Sequence, residues 1–161
     1  MPEAKHQMLE TCERNPDGKD RGAEAGSRRQ PAIRHFTDLI VWQKAFDLGL
    51  RVLELSRGWP REERYALTDQ VRRYSRSVSA NIAEAWGKRR YEAHFVSKLS
   101  DSDTELLETE DWLLFAKAHG YMAAPDFDEL HALMREIGRM LGSIMQNPGP
   151  FLLRNAHRND D

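Results

Sequence analysis

Acids and histidines at short spacing are the first residues here that could do chemistry. Glu92-x-His94 and Glu129-x-His131 each put a carboxylate two residues from an imidazole, and Asp128 and His131 stand three apart. A di-metal site inside a helical bundle needs two Glu-x-x-His pairs and two further glutamates, all projecting inward. No Glu-x-x-His occurs from residue 35 onward, and a spacing of two places its partners on different helix faces. Asp128 and His131 make a lone pair. No metal and no cofactor are expected. Nucleophilic catalysis has no better basis: the one thiol, Cys12, sits in a polar N-terminal stretch, spacing assembles no Ser, His and Asp set, and no glycine-rich phosphate loop is present. The residues read as those of a protein that is not an enzyme.

Charge is the second chemical signal. Between Pro60 and Tyr91 stand eight Arg and Lys against four acids. Arg72 and Arg76, four apart, share a helix face with Arg73 beside them, and Lys88, Arg89 and Arg90 cluster further on. Six such cations could neutralise several backbone phosphates of RNA or DNA, the source of most sequence-independent affinity. Tyr91 and Phe95 nearby could stack on bases, though Phe95 also fits a core position. A competing use lies in the same chain. From Asp101 to Asp111 there are six acids and no base, so the basic and acidic segments can pair with each other, within a subunit or between subunits. Asn81 falls in an otherwise apolar series, where a buried amide needs partners. It reads as a register-fixing contact shared with Gln70 or Glu84. Trp42, Trp86 and Trp112 read as core or interface anchors.

Helices must position these groups. Thr37 serves as an expected N-cap, with Phe36 and Val41 as a hydrophobic staple. The first helix runs through Leu39, Trp42, Ala45, Phe46, Gly49, Leu50 and Leu53 to Gly58. The second covers about 62–90 with the seam Leu67, Val71, Tyr74, Val78, Asn81, Ala85. The third covers about 92–119 with Phe95, Leu99, Leu106, Leu113 and Ala116 inward and Gly120 as its stop. Asp126 and Glu129 cap the fourth, whose core is Phe127, Leu130, Met134, Ile137, Leu141 and Ile144, ended by Asn147-Pro148-Gly149-Pro150. No segment alternates as a half-buried strand would. Short connections between four such helices predict an all-α, antiparallel up-down-up-down four-helix bundle with near-aligned packing at about 20°.

The bundle is expected over 35–147, with a flexible C-terminal tail at 148–161. Residues 1–34 hold Asn15-Pro16-Asp17-Gly18 and many charges but few large apolar groups. They read as a disordered leader, as an extension upstream of the true start, or as an arm using Arg28 and Arg29. Over all 161 residues, net charge is only -2, so no global field draws the chain to nucleic acid or an anionic membrane. One cysteine and no signal-like or membrane-length apolar run give the expectation of a cytoplasmic protein that makes no membrane contact.

Several of these residues also carry a resemblance. Phe36-x-x-Leu39-x-Val41-Trp42, Tyr65-x-Leu67-x-x-Gln70-x-Arg72-Arg73, Ser77-Val78-Ser79-Ala80-Asn81-Ile82-Ala83-Glu84 and Gly120-Tyr121 resemble the four helix bundle protein family. That family includes proteins encoded in intervening sequences of bacterial large-subunit ribosomal RNA genes and is related to accessory proteins of diversity-generating retroelements. The resemblance spans roughly 35–147 and marks Trp42, Gln70, Asn81 and Glu84 as structural motif residues. Ala85 stands where members usually carry Gly, and Ser102-Asp103 where they carry Gly-Ser. The latter change bears on a close helix or subunit contact. The resemblance implies a homo-oligomer, often a pentamer, of mostly unassigned function. For a retroelement-encoded member it implies RNA or DNA, or a reverse transcriptase, as partner.

Two functional readings follow. One is an interaction or scaffold protein that self-associates through apolar residues off the seams, among them Ile40, Val52, Leu107 and Leu114. The other is a nucleic-acid-binding accessory in which assembly repeats the Arg72/Arg73/Arg76 or Lys88/Arg89/Arg90 patch.

Overall fold

The computed structural model describes residues 32–153. The leader lies outside the described residues through Pro31, and so does the tail beyond Leu153. Four helices dominate: α1 Ile40–Leu55, α2 Asp69–Lys88, α3 Glu92–Ala118 and α4 Ala124–Gln146, with no strand among the described residues. α1 packs on α2 and α4, and α3 does likewise. Cross-contacts run in opposite directions along each pair. Gly49 and Ser56 of α1 and its end meet Arg76 and Arg72 of α2. Val78 and Glu84 of α2 meet Ser102 and Lys98 of α3. Glu110 meets His131 while Asp103 meets Gly138, and Lys44 and Arg51 meet Glu136 and Glu129. Neighbouring helices are therefore antiparallel around a shared core.

α3 and α4 are built as their spacing predicts. Phe95, Leu99, Leu106, Leu113 and Ala116 are buried, with Ser102 and Thr109 filling the same seam. Both hydroxyls are satisfied, by the Val78 carbonyl of α2 at 2.8 Å and the Glu105 carbonyl one turn back at 2.8 Å. Burying them therefore leaves no orphan group. Gly120 stops α3 in the left-handed region, φ 75°. The Tyr121 N–H donates to the Ala116 carbonyl and the Gly120 N–H to that of Lys117, the paired closure that a glycine at this position permits. In α4, Phe127, Leu130, Met134, Ile137 and Leu141 are buried, and Ile144 is half-buried.

α1 corrects the expected seam. Val41, Ala45, Leu48, Gly49 and Val52 face inward. Phe46 and Leu50 instead point to solvent, and Trp42 and Leu53 are half-buried. The helix is apolar on two sides, so periodicity alone could not choose between stripes. α2 shows a smaller rotation: Ser75 and Ile82 occupy the seam with Leu67, Val71, Val78 and Ala85, leaving Tyr74 and Asn81 half-buried beside it. Ser75 can be buried because its hydroxyl donates to the Arg72 carbonyl of its own helix.

The helix ends depart from expectation too. Thr37 does not cap α1. His35 and Asp38 instead cap a short 3-10 turn, Phe36–Asp38, and α1 starts after extended Leu39. α1 closes at Leu55 with a 3-10 turn, Ser56–Gly58. Before α2 the chain makes another, Arg61–Glu63, then a wide turn, Arg64–Thr68, in which the Asp69 N–H reaches the Arg64 carbonyl. α4 begins before Asp126: Ala123 is its uncapped N-cap and Pro125 lies in the first turn, where its missing N–H is no loss. Past residue 147 packing continues. Phe151 stacks on Phe95 at 6.4 Å and the Leu153 N–H donates to the Arg89 carbonyl.

Candidate functional site

The six cations in and just past α2 divide by what each touches. Arg72 is partly buried, and its Nε donates to Ser56 Oγ at 2.7 Å, while that hydroxyl donates to the Leu53 carbonyl. Its Nε thereby closes the end of α1. Arg73 donates to Gln70 Oε1 at 2.8 Å and lies over the Tyr74 ring. The stem of Arg76 runs along Gly49, where a Cβ would sit 3.7 Å from its Cγ. Its head is exposed. Arg89 stacks over Trp86 at 3.8 Å and donates to that residue's carbonyl. Lys88 and Arg90 face solvent. None of the six has a carboxylate within 4.0 Å among the described residues.

Among the described residues no cation of α2 forms an ion pair within 4.0 Å with an acid of α3. The ion pair joining them has the opposite polarity: Lys98 of α3 sits 3.0 Å from Glu84 of α2 and 3.1 Å from Asp101. Hydrogen bonds that its ammonium donates to Glu84, then to Asp101, raise the Lys98 pKa. The α3 acids stay largely unmatched. Asp103 is raised by desolvation against α4. Glu105 is raised by desolvation and then by Glu108, against a lowering from Arg73, and its Oε2 is buried with no hydrogen-bond partner.

The motif residues prove to be joints of the fold. Gln70 Nε2 donates to the Tyr65 carbonyl at 3.4 Å, holding the wide turn while its Oε1 accepts from Arg73. Trp42 lies between Phe36 and Phe46, with ring centroids at 5.2 and 5.0 Å. Glu84 anchors Lys98. Asn81 does not hold the seam; Ile82 does. Tyr121 donates from its hydroxyl to Glu63 Oε1 at 3.2 Å, and desolvation with that carboxylate raises its pKa.

His131 pairs with Glu110 at 3.0 Å and stacks on Phe127, away from Asp128. Among the described residues no group of three or more His, Cys, Asp or Glu could hold a metal ion. A shallow open groove of ≈ 460 Å³ lies between α1 and α4, lined in part by Ile40, Lys44, Asp47 and Leu133. Its charges satisfy one another through Lys44–Glu136 and Asp47–Arg51. No helix of the described residues is long and apolar enough to cross a membrane.

Sequence reasoning missed Ser56 and Lys98 as structural partners and Ser102 as a seam position of α3. Ser102 had a findable signal, since it completes the 4-3 series from Phe95 to Ala116. It also left Phe46 and Leu50 inside, when they are 47% and 52% exposed.

The family model described as 23S rRNA-intervening sequence protein matches residues 37–143. No curated protein matches the chain. Among solved structures it is similar to a protein of unknown function from the S23 ribosomal protein family of Bacteroides thetaiotaomicron VPI-5482. Identity is 27% and the TM-score 0.61, covering 67% of this chain and 100% of that one.

Proposed function

The chain belongs to the 23S rRNA-intervening sequence protein family, and from that premise we propose that it is a non-catalytic bundle that self-associates and serves as an interaction or scaffold protein. One observation carries this reading. After the core is complete, α1 and α3 still present large apolar side chains to solvent: Phe46, Leu50, Leu107, Leu114 and Phe115 among them. Scattered surface leucines need no explanation, but repeated ones on helices already supplying a core point to a second buried surface. The cytoplasm is the proposed location, and a ring of five the assembly that the sequence resemblance implies. Size exclusion with light scattering at micromolar concentration tests the reading. A mass above the 18.7 kDa of one chain is expected, and a strict monomer overturns it.

A second reading, binding of RNA or DNA, is favoured by one local feature. Lys88 and Arg90 are exposed at the α2–α3 corner, where Tyr91 is 62% exposed with its ring 5.6 Å from that of His94. Cations beside an open aromatic face suit single-stranded nucleic acid. Affinity should then fall steeply with salt and disappear in the Arg89→Glu, Arg90→Glu variant. Salt-independent or absent binding removes this reading and leaves the first intact.

A further inference from the structure

The C-terminal half of α3 carries aromatic and acidic groups that the core leaves uncovered. Glu108, Asp111, Trp112, Phe115 and His119 are linked by steps of three and four, so they share one side of the helix. Their rings and that of Tyr121 form a run. Trp112 lies 6.0 Å from Phe115, Phe115 stacks with His119 at 6.4 Å, and His119 stacks with Tyr121 at 5.4 Å. His119 Nδ1 donates to the Phe115 carbonyl at 2.8 Å, which holds the imidazole in place. Phe115 is 49% exposed and His119 is open to solvent, with Trp112 and Tyr121 half-buried beside them. Carboxylates border the run at both ends. Glu108 and Asp111 precede it, and Glu63 accepts from the Tyr121 hydroxyl at its far end. None of these three acids has a cation within 4.0 Å among the described residues. No base occurs from Asp101 to Ala116, and Lys117 is engaged elsewhere, 4.3 Å from the centre of the Phe127 ring of α4.

An open row of rings with unpaired carboxylates at its margins suits one kind of group, a planar cation. A guanidinium stacks on an aromatic face and donates to carboxylates in a fixed geometry, whereas an ammonium is compact and strongly hydrated. We propose that this side of α3 binds an arginine-containing segment of another protein. A guanidinium lies on the Phe115 and His119 rings, and Asp111 and Glu108 receive its N–H groups. The inference rests on the reading of the chain as an interaction protein, names the chemistry of a partner, and does not need self-association. Charge chooses the occupant. Nucleic acid would bring phosphates against Glu108 and Asp111. The same side of a second copy would set Asp111 against Asp111, and like-charge juxtaposition is unfavourable. Consecutive arginines can use successive rings, so weak contacts add along the row.

Fluorescence anisotropy titrations of labelled hexa-arginine and hexalysine peptides with the full chain, at physiological salt, test this. The arginine peptide is expected to bind about fivefold more tightly, the gain from one exposed guanidinium stack. Phe115→Leu keeps an apolar side chain and deletes the ring, so it should abolish that preference and leave the lysine peptide unaffected. Asp111→Asn should weaken both peptides by about threefold. Glu92→Gln, which removes an exposed acid at the start of the same helix, should weaken neither. Helical circular dichroism of each variant should be unchanged. Equal affinity for the two peptides, an arginine preference that survives Phe115→Leu, or Glu92→Gln acting as strongly as Asp111→Asn overturns the proposal. Light scattering on the same samples reads self-association separately. A monomer that binds with the arginine preference keeps this inference and removes self-association, whereas an assembly that binds no peptide removes this inference alone. Two further outcomes place another occupant on these rings and overturn it as well. They are Phe115→Leu lowering the mass of an assembly that binds no peptide, and Phe115→Leu weakening a bound RNA oligonucleotide.

Discussion

Arg72 and Arg90 both belong to the basic stretch between Pro60 and Tyr91, yet they should respond unequally to the same substitution. Arg72→Met keeps most of the aliphatic stem and deletes the donor that reaches Ser56 Oγ at 2.7 Å. A hydrogen bond with a charged partner contributes about 1.5–3 kcal/mol. Because Arg72 is only partly buried, the lower end applies, about 1.5 kcal/mol. For a domain of this size that corresponds to a fall in Tm of about 6 °C. Arg90→Met should stay within about 0.5 kcal/mol, as surface substitutions do. A double-mutant cycle with Ser56→Ala isolates the contact: a coupling energy of about 1 kcal/mol is expected from urea unfolding at fixed protein concentration. Equal losses for the two methionine variants, or a coupling near zero, would refute the assignment of Arg72 to the fold and return it to the ligand-facing set.

The rotation of α2 makes a second contrast. Ile82→Ala should cost about 2–5 kcal/mol as a core truncation, whereas Asn81→Ala should be neutral or slightly favourable because alanine is the better helix former; thermal melts that rank them the other way would restore Asn81 to the seam. Gly120→Ala should lose about 1–2 kcal/mol, since φ is 75° there, read in the same melts. Asp103 has its pKa raised by burial, so the folded state holds the proton to higher pH than the unfolded state does. Its contribution is then fully favourable below the ordinary carboxylate value and lost as pH rises through the folded value. Asp103→Asn should accordingly raise Tm at pH 7, with a gain that shrinks toward zero as pH falls below about 4.

Much of this was legible in the residues, and the failures have physical causes. α3 and α4 have one apolar series each that is unbroken at three and four, so their cores could be read directly. α1 has two, one of small and branched residues, Val41, Ala45, Leu48 and Val52, and one of larger ones, Trp42, Phe46 and Leu50. Burial went to the set that allows close helix approach, and size misled the reading. In α2 the polarity of Ser75 disguised a core position, because a serine hydroxyl can be satisfied by its own helix one turn back. The candidate site was less legible still. Like-charged residues a few positions apart look equivalent in sequence, and only the neighbours of each separate Arg72, tied to Ser56, from Arg90, tied to nothing described.

That separation also explains why family resemblance says more here about architecture than about activity. Gln70 braces the wide turn before α2, Glu84 fixes Lys98, Trp42 sits in an aromatic run, and Gly120-Tyr121 both stops α3 and returns to Glu63. Gln70 and Trp42 spend their groups on local contacts of one segment and Glu84 and Tyr121 on joints between segments, so all four serve the bundle's own construction. Specific recognition would then use side chains outside those joints, among them the outward apolar residues of α1 and α3. A substitution at Leu107 or Phe46 should consequently alter assembly while leaving the melt of the isolated bundle unchanged, and one at Gln70 or Glu84 should do the reverse. Assembly and stability moving together at all four positions would show that the two surfaces are not separable.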